Sequence, residues 1–179
     1  VHALLGRMHF LKGQTAEAVR EFQKASELAP ARVEYASALG AVLLATGRVR
    51  EAEVTFQKAA EANPASAAAQ TELAQFYYSQ RNFEQAETDA RAATELEERA
   101  LGPRLLLVQI YLATGRQPSA EKEAARLSAD FPDDPDGYQA LARVHLAIGE
   151  RDKAADEYRK IIAAKPSDLA ARLQLGDLL

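Results

Sequence analysis

The strongest constraint on this 179-residue chain is a 34-residue period that runs from end to end. Gly13 and Gly47 stand 34 apart, Gly115 and Gly149 continue the series, and Arg81 fills the one gap. Pro30, Pro64, Pro132 and Pro166 fall on the same lattice, with Glu98 where a fifth proline would stand. Ala18, Ala52, Ala86, Ala120 and Ala154 form an unbroken ladder. Phe22, Phe56 and Tyr158 form another, whose remaining rungs are Ala90 and Ala124. A fixed period of this length is the signature of one supersecondary unit stacked on copies of itself.

Each unit reads as two amphipathic helices. In the second copy the first helix runs from about Val33 to Thr46 and Gly47-Arg48 turns the chain. The second helix then runs from about Val49 to Ala62, where Asn63-Pro64 ends it. Glycine just past a helix suits a left-handed cap, and proline cannot continue a helix that it follows. Pro103, Pro118 and Pro135 sit at first helical positions, where a missing N–H costs nothing. From Glu95 to Pro103 the lattice proline is absent and Gly102-Pro103 follows, which predicts a longer second helix and a changed stacking angle there.

The repeats are then 1–32 (truncated at its N-terminus), 33–66, 67–100, 101–134 and 135–168, with the first helix of a further repeat at 169–179. Val1 is not an initiator Met, and Leu173 to Leu179 stop inside an apolar pattern without a cap, so the chain reads as an excerpt of a longer protein. Alanine occurs 38 times. It has the lowest helix cost and the smallest side chain that still buries a methyl, so closely packed helices are the natural reading. Gly6, Gly40, Ala74, Ala142, Gly176 and the Ala18 ladder are expected where helices cross most closely. Leucine at Ala52 or Ala86 should overpack that crossing by ~1–3 kcal/mol.

Leu39-Gly40-x-x-Leu43, Ala52-x-x-x-Phe56 and Pro64 together resemble the tetratricopeptide repeat. The fifth copy repeats the pattern as Tyr138-x-x-Leu141-Ala142-x-x-His145, Ala154-x-x-x-Tyr158 and Pro166, and the third as Leu73-Ala74-x-x-Tyr77 with Ala86. The resemblance covers the whole chain. No Trp opens any repeat, and the third and fourth copies carry Ala where the large aromatic usually packs. It implies an all-α fold, a right-handed superhelical α-solenoid of antiparallel helix pairs. It also implies that a peptide or partner helix binds in the concave groove lined by the first helix of each pair.

Carried over position by position, the groove holds the apolar series Phe10, Leu44, Tyr78, Leu112 and Leu146. Beside it lie Arg7, Ala41, Gln75, Gln109 and Arg143, and one turn earlier Ala3, Ser37, Thr71, Leu105 and Gln139. The apolar stripe equally suits packing between neighbouring first helices, whereas Phe10 and Tyr78 suit interface anchors. Asp133, Asp134, Asp136, Asp168 and Asp177 gather toward the C-terminal end around Arg143 and favour a partner with a basic segment there. The same aspartates also suit helix capping. The carboxylate-clamp specialisation fails, because its places hold Ala3, Arg7, Ala38, Ala68 and Glu72. An asparagine-lined superhelix fails too, since only Asn63 and Asn82 exist and neither lies in a groove place.

Composition narrows the chemistry. A net charge of −4 and a pI near 5.5 argue against non-specific nucleic-acid binding. Zero Cys excludes disulfides, thiolate metal sites and thiol nucleophiles from this stretch. The longest apolar stretch, Ala38 to Ala45, falls far short of the ~20 residues a membrane helix needs. His2, His9 and His145 are the only histidines. His2 and His9 lie ~10 Å apart by helix rise, too far to share a metal. His9 and His145 sit where an aromatic usually packs. The tract from Asp130 to Gly137 places Pro132 and Arg143 at calcium-ligand positions and fails as a calcium loop. No Walker loop, Gly-x-Ser-x-Gly elbow or Gly-x-Gly-x-x-Gly occurs.

The expectation is a scaffold that binds protein and is not an enzyme, with no cofactor, no metal, no nucleic-acid partner and no direct membrane insertion. Alanine richness and 15 Arg against 7 Lys suggest a GC-rich bacterial genome. By family analogy that suggests envelope, secretion or polysaccharide-export assembly, in either cytoplasm or periplasm. The competing readings are a docking arm of a larger enzyme or signalling protein, and self-assembly into a homo-oligomer through Leu173, Leu175, Leu178 and Leu179 of the C-terminal helix.

Overall fold

The computed structural model describes all residues from Val1 to Leu179 and contains eleven α-helices and no strand. The first helices are α1 (His2–Leu11), α3 (Val33–Ala45), α5 (Ala67–Ser79), α7 (Leu101–Ala113) and α9 (Pro135–Ala147). Each is followed by a second helix: α2 (Thr15–Leu28), α4 (Val49–Ala62), α6 (Phe83–Leu96), α8 (Gln117–Asp130) and α10 (Arg151–Ala164). The eleventh, α11 (Leu169–Leu178), stands alone. The helix pairs stack as an α-solenoid within each of two compact units, Val1–Glu97 and Glu98–Leu179.

The turns inside each pair explain the glycine lattice. Gly13, Gly47, Gly115 and Gly149 have φ between 71° and 83°. The next residue donates its N–H back to a carbonyl of the helix: Gln14 to His9, Arg48 to Leu43, Arg116 to Tyr111 and Glu150 to His145, all at 2.8–2.9 Å. This is the Schellman arrangement, which needs a left-handed residue and favours glycine. Arg81 adopts the same conformation with φ 60°, and Asn82 donates to Tyr77 at 2.9 Å. The gap in the glycine series therefore changes the residue and not the turn. The Arg81 guanidinium sits 5.7 Å over the Phe83 ring, which holds the strained position.

Each second helix ends in a residue whose φ has left the helical range. Ala29, Asn63, Phe131 and Lys165 have φ between −144° and −128°, within the φ range that a following proline favours. Glu97 does the same at φ −143° with no proline after it. The expected longer helix is absent: α6 has 14 residues, like α2, α4, α8 and α10. Stacking against the first helices sets this length, and proline only reinforces it. Pro135 opens α9, but Pro118 and Pro103 stand at the second and third residues of their helices, still within the donor-free first turn.

The core confirms the small-residue lattice with one exception. Ala18, Ala52, Ala86, Ala120 and Ala154 are all fully buried, as are Ala74 and Ala142. At Gly40 an added Cβ would intrude into the Phe56 ring, and at Gly6 it would lie 2.9 Å from the Phe22 ring. Gly137 is a close approach the periodicity did not single out: a Cβ there would lie 2.8 Å from the Ser128 backbone nitrogen of α8. Gly176 is the exception, with no atom within 4 Å of an added Cβ. Nor are all the α11 leucines bare. Leu173 and Leu179 are 70% and 85% exposed, but Leu175 and Leu178 pack on a cluster of Ala142, Ala154, Tyr158, Ile161 and Ala171.

These contacts give two substitutions opposite signs. Gly137→Ala forces the α9 and α8 backbones apart and should destabilise by ~1–3 kcal/mol, the usual range for overpacking. Gly176→Ala meets open space in a helix and should be neutral or stabilising by up to ~1 kcal/mol. Urea unfolding of the two variants checks the pair.

Candidate functional site

The first helices carry the predicted groove residues, and their neighbours decide which are available. In unit Val1–Glu97, Arg7 and Gln75 are exposed, and Phe10 is 42% exposed. Leu44 packs against the core cluster around Leu43 and Phe56, so it serves packing. Tyr78 is half-buried with its ring 5.7 Å from Phe83 across the turn, an anchor already used by the fold.

In unit Glu98–Leu179 the predicted residues converge. Leu105, Val108, Gln109 and Leu112 of α7 face Asp136, Gln139, Ala140 and Arg143 of α9 across a cavity of about 190 Å³. Leu105, Gln109, Leu112, Gln139 and Arg143 lie on the groove lattice and Asp136 belongs to the C-terminal aspartate cluster, whereas Val108 and Ala140 lie one place off the periodic positions. Leu146 is outside the cavity and packs on the Tyr158 cluster. The floor is aliphatic and the rim polar, because Leu105, Val108 and Leu112 recur at helical spacing along one face of α7. Arg143 and Asp136 are exposed, and neither side chain is in an ion pair or hydrogen bond. Asp134 accepts the Asp136 N–H at 2.9 Å and Asp168 accepts the Ala171 N–H at 3.0 Å, so two of the five C-terminal aspartates are helix caps.

Tetratricopeptide repeat models match residues 9–64, 43–88, 88–144 and 135–178. The chain belongs to the tetratricopeptide repeat family. TTC0263, a thermophilic TPR protein of Thermus thermophilus, has 22% identity over 99% of this chain and 96% of its own, with a TM-score of 0.74. YrrB, described as a TPR protein with an unusual peptide-binding site, has 19% identity over 96% of this chain and 89% of its own, with a TM-score of 0.65. Yeast Tom70 matches 99% of this chain and 38% of its own at 17% identity, with a TM-score of 0.79. No curated protein sequence matches the chain. Protein interaction through a helical scaffold is the general property of such repeats, which are in general not catalytic.

The tetratricopeptide frame also accounts for the histidines. His9 Nδ1 lies 2.7 Å from Gln14 Oε1, and His145 Nδ1 lies 3.0 Å from Glu150 Oε2. Both pairs join the same two turn positions, and Tyr111 with Arg116 does so by stacking at 4.7 Å. The histidines therefore fasten turns as well as packing. Glu121, His145 and Glu150 are the residues that could hold a metal, with one ligand atom of each within 4.8 Å of the others. The Lys153 ammonium already bonds Glu150 at 2.8 Å and, with His145 second, holds its carboxyl below the usual range.

A second ladder, which the periodicity alone did not reveal, ties second helices to first. Glu21 meets His2 at 2.7 Å, and Glu123 meets the buried Arg104 at 2.7 Å, while Arg104 also reaches Asp130 at 2.7 Å. The signal was present: Glu21, Asp89, Glu123 and Glu157 are all acidic on the 34-residue lattice. Glu157 bonds Lys160 of its own helix instead, at 2.7 Å, and Asp89 has no such partner. One of its oxygens is buried without a hydrogen bond, and burial raises its carboxyl to about 6. A larger hollow, about 530 Å³, lies between α2 and α4 over Leu39 and Leu43, on the side of the second helices. It is lined partly by Ser26, Ala59 and Ala62, whose short side chains leave the space open.

The Asp89 shift has a definite sign. Its folded carboxyl holds a proton more tightly than the unfolded one, so that contribution is full below about pH 4 and fades as pH rises through about 6. Asp89→Asn should raise the urea midpoint at pH 7 and leave it nearly unchanged at pH 4.

Proposed function

We propose that this protein holds an extended stretch of a partner protein on its first helices, with the α7–α9 cavity of unit Glu98–Leu179 as the main contact. The observation that carries this reading is the combination found there: an aliphatic floor, two glutamines and two unpaired opposite charges around one hollow. A site of that kind takes up an apolar side chain and orients the rest by polar contacts. Leu44 and Leu146 serve packing, whereas Arg7, Phe10 and Gln75 remain open in their own unit.

Leu112→Asp places a charge at the edge of the floor on a half-buried position, so the fold should survive while binding fails. Peptides selected from a random library should bind wild type at least tenfold more tightly than the variant, with unchanged far-ultraviolet circular dichroism. Equal binding by both would refute the proposal.

A second reading, self-assembly through α11, is favoured by the exposure of Leu173 and Leu179. Burying each would contribute ~1.5–3 kcal/mol. Light scattering at rising concentration should then show a dimer that Leu173→Asp dissolves. A monomer at every concentration excludes it.

A further inference from the structure

The α7–α9 cavity carries a charge register. Asp136 stands in the first turn of α9 and Arg143 seven residues later, about 10 Å along the helix axis at the usual rise. Both side chains border the same hollow, and its other lining residues are the uncharged Gln109 and Gln139 and the aliphatic Leu105, Val108, Leu112 and Ala140. Neither charge is neutralised within the protein. At the Asp136 end the field is reinforced by the exposed Asp133, so that end is anionic, and the Arg143 end is cationic.

A helix about 10 Å across cannot enter a hollow of about 190 Å³, whereas one aliphatic side chain can. In an extended peptide alternate side chains point the same way, about 6.6 Å apart, so residues i and i+4 span about 13 Å. The long reach of the Arg143 side chain covers the difference from the 10 Å register. We infer that this groove selects an extended peptide of the form basic–x–aliphatic–x–acidic, in either chain direction, with its basic group at Asp136 and its acidic group at Arg143. The inference rests on the binding face proposed above and adds the chemistry of its occupant.

Three fluorescein-labelled peptides test it by anisotropy: Gly-Lys-Ala-Leu-Ala-Glu-Gly, the same with both charges basic, and the same with both acidic. The mixed-charge peptide should bind wild type about fivefold more tightly than either of the others, the size expected for one exposed ion pair. Asp136→Lys should shift the preference to the all-acidic peptide, and Arg143→Glu to the all-basic one. Both positions are exposed, so folding is not at stake, and circular dichroism confirms it. Equal affinities for the three peptides, or preferences that do not move with the variants, overturn the register. So does failure of all three to bind. The proposed binding face survives these failures if library peptides still bind in a Leu112-dependent manner, and falls with them if none does.

Discussion

Everything else in this fold depends on how closely the second helix of each pair crosses the first. Ala18, Ala52, Ala86, Ala120 and Ala154 sit at that crossing with no exposed surface, and Gly40 lies against the Phe56 ring with no room for a methyl. Small residues let the backbones approach, so the larger side chains on either side interlock at the density of a protein interior. That approach commits the inner stripe of each helix to the core. The outer face of the first helices is spared that duty, which is why unpaired polar groups such as Gln109 and Arg143 can persist there.

The turns set the direction of that crossing. Five Schellman caps hold the two helices of each pair antiparallel, and at three of them flanking side chains add a further tie: His9 with Gln14, Tyr111 with Arg116 and His145 with Glu150. The Arg81 turn shows that the motif is enforced by its surroundings: a residue ill suited to φ 60° is held there by its hydrogen bonds and by the Phe83 ring.

Much of this was legible in the sequence, because a repeat turns weak local signals into a lattice. The bounds of α4 follow from the sequence to the residue, those of α3 to within one residue, and the buried alanines from the period alone. What escaped was what does not repeat. α6 ends on schedule without its proline because packing fixes its length, and the Gly137 approach to α8 occurs in one copy only. The Glu123–Arg104 pair joins lattice positions filled by different residues in other repeats, so the period hides it. At the proposed site, the lattice offered Gln109, Leu112 and Arg143 and the aspartate cluster offered Asp136, but the lattice also offered Leu44 and Leu146, which look equivalent in sequence and pack inward in space.

The proposed division of labour is that second helices hold and first helices bind. Amide chemical-shift mapping during titration with Gly-Lys-Ala-Leu-Ala-Glu-Gly tests it without any substitution in the protein. The largest changes should fall between Leu105 and Leu112 of α7 and between Asp136 and Arg143 of α9. Changes centred instead on α2 and α4, around the hollow over Leu39 and Leu43, would contradict it.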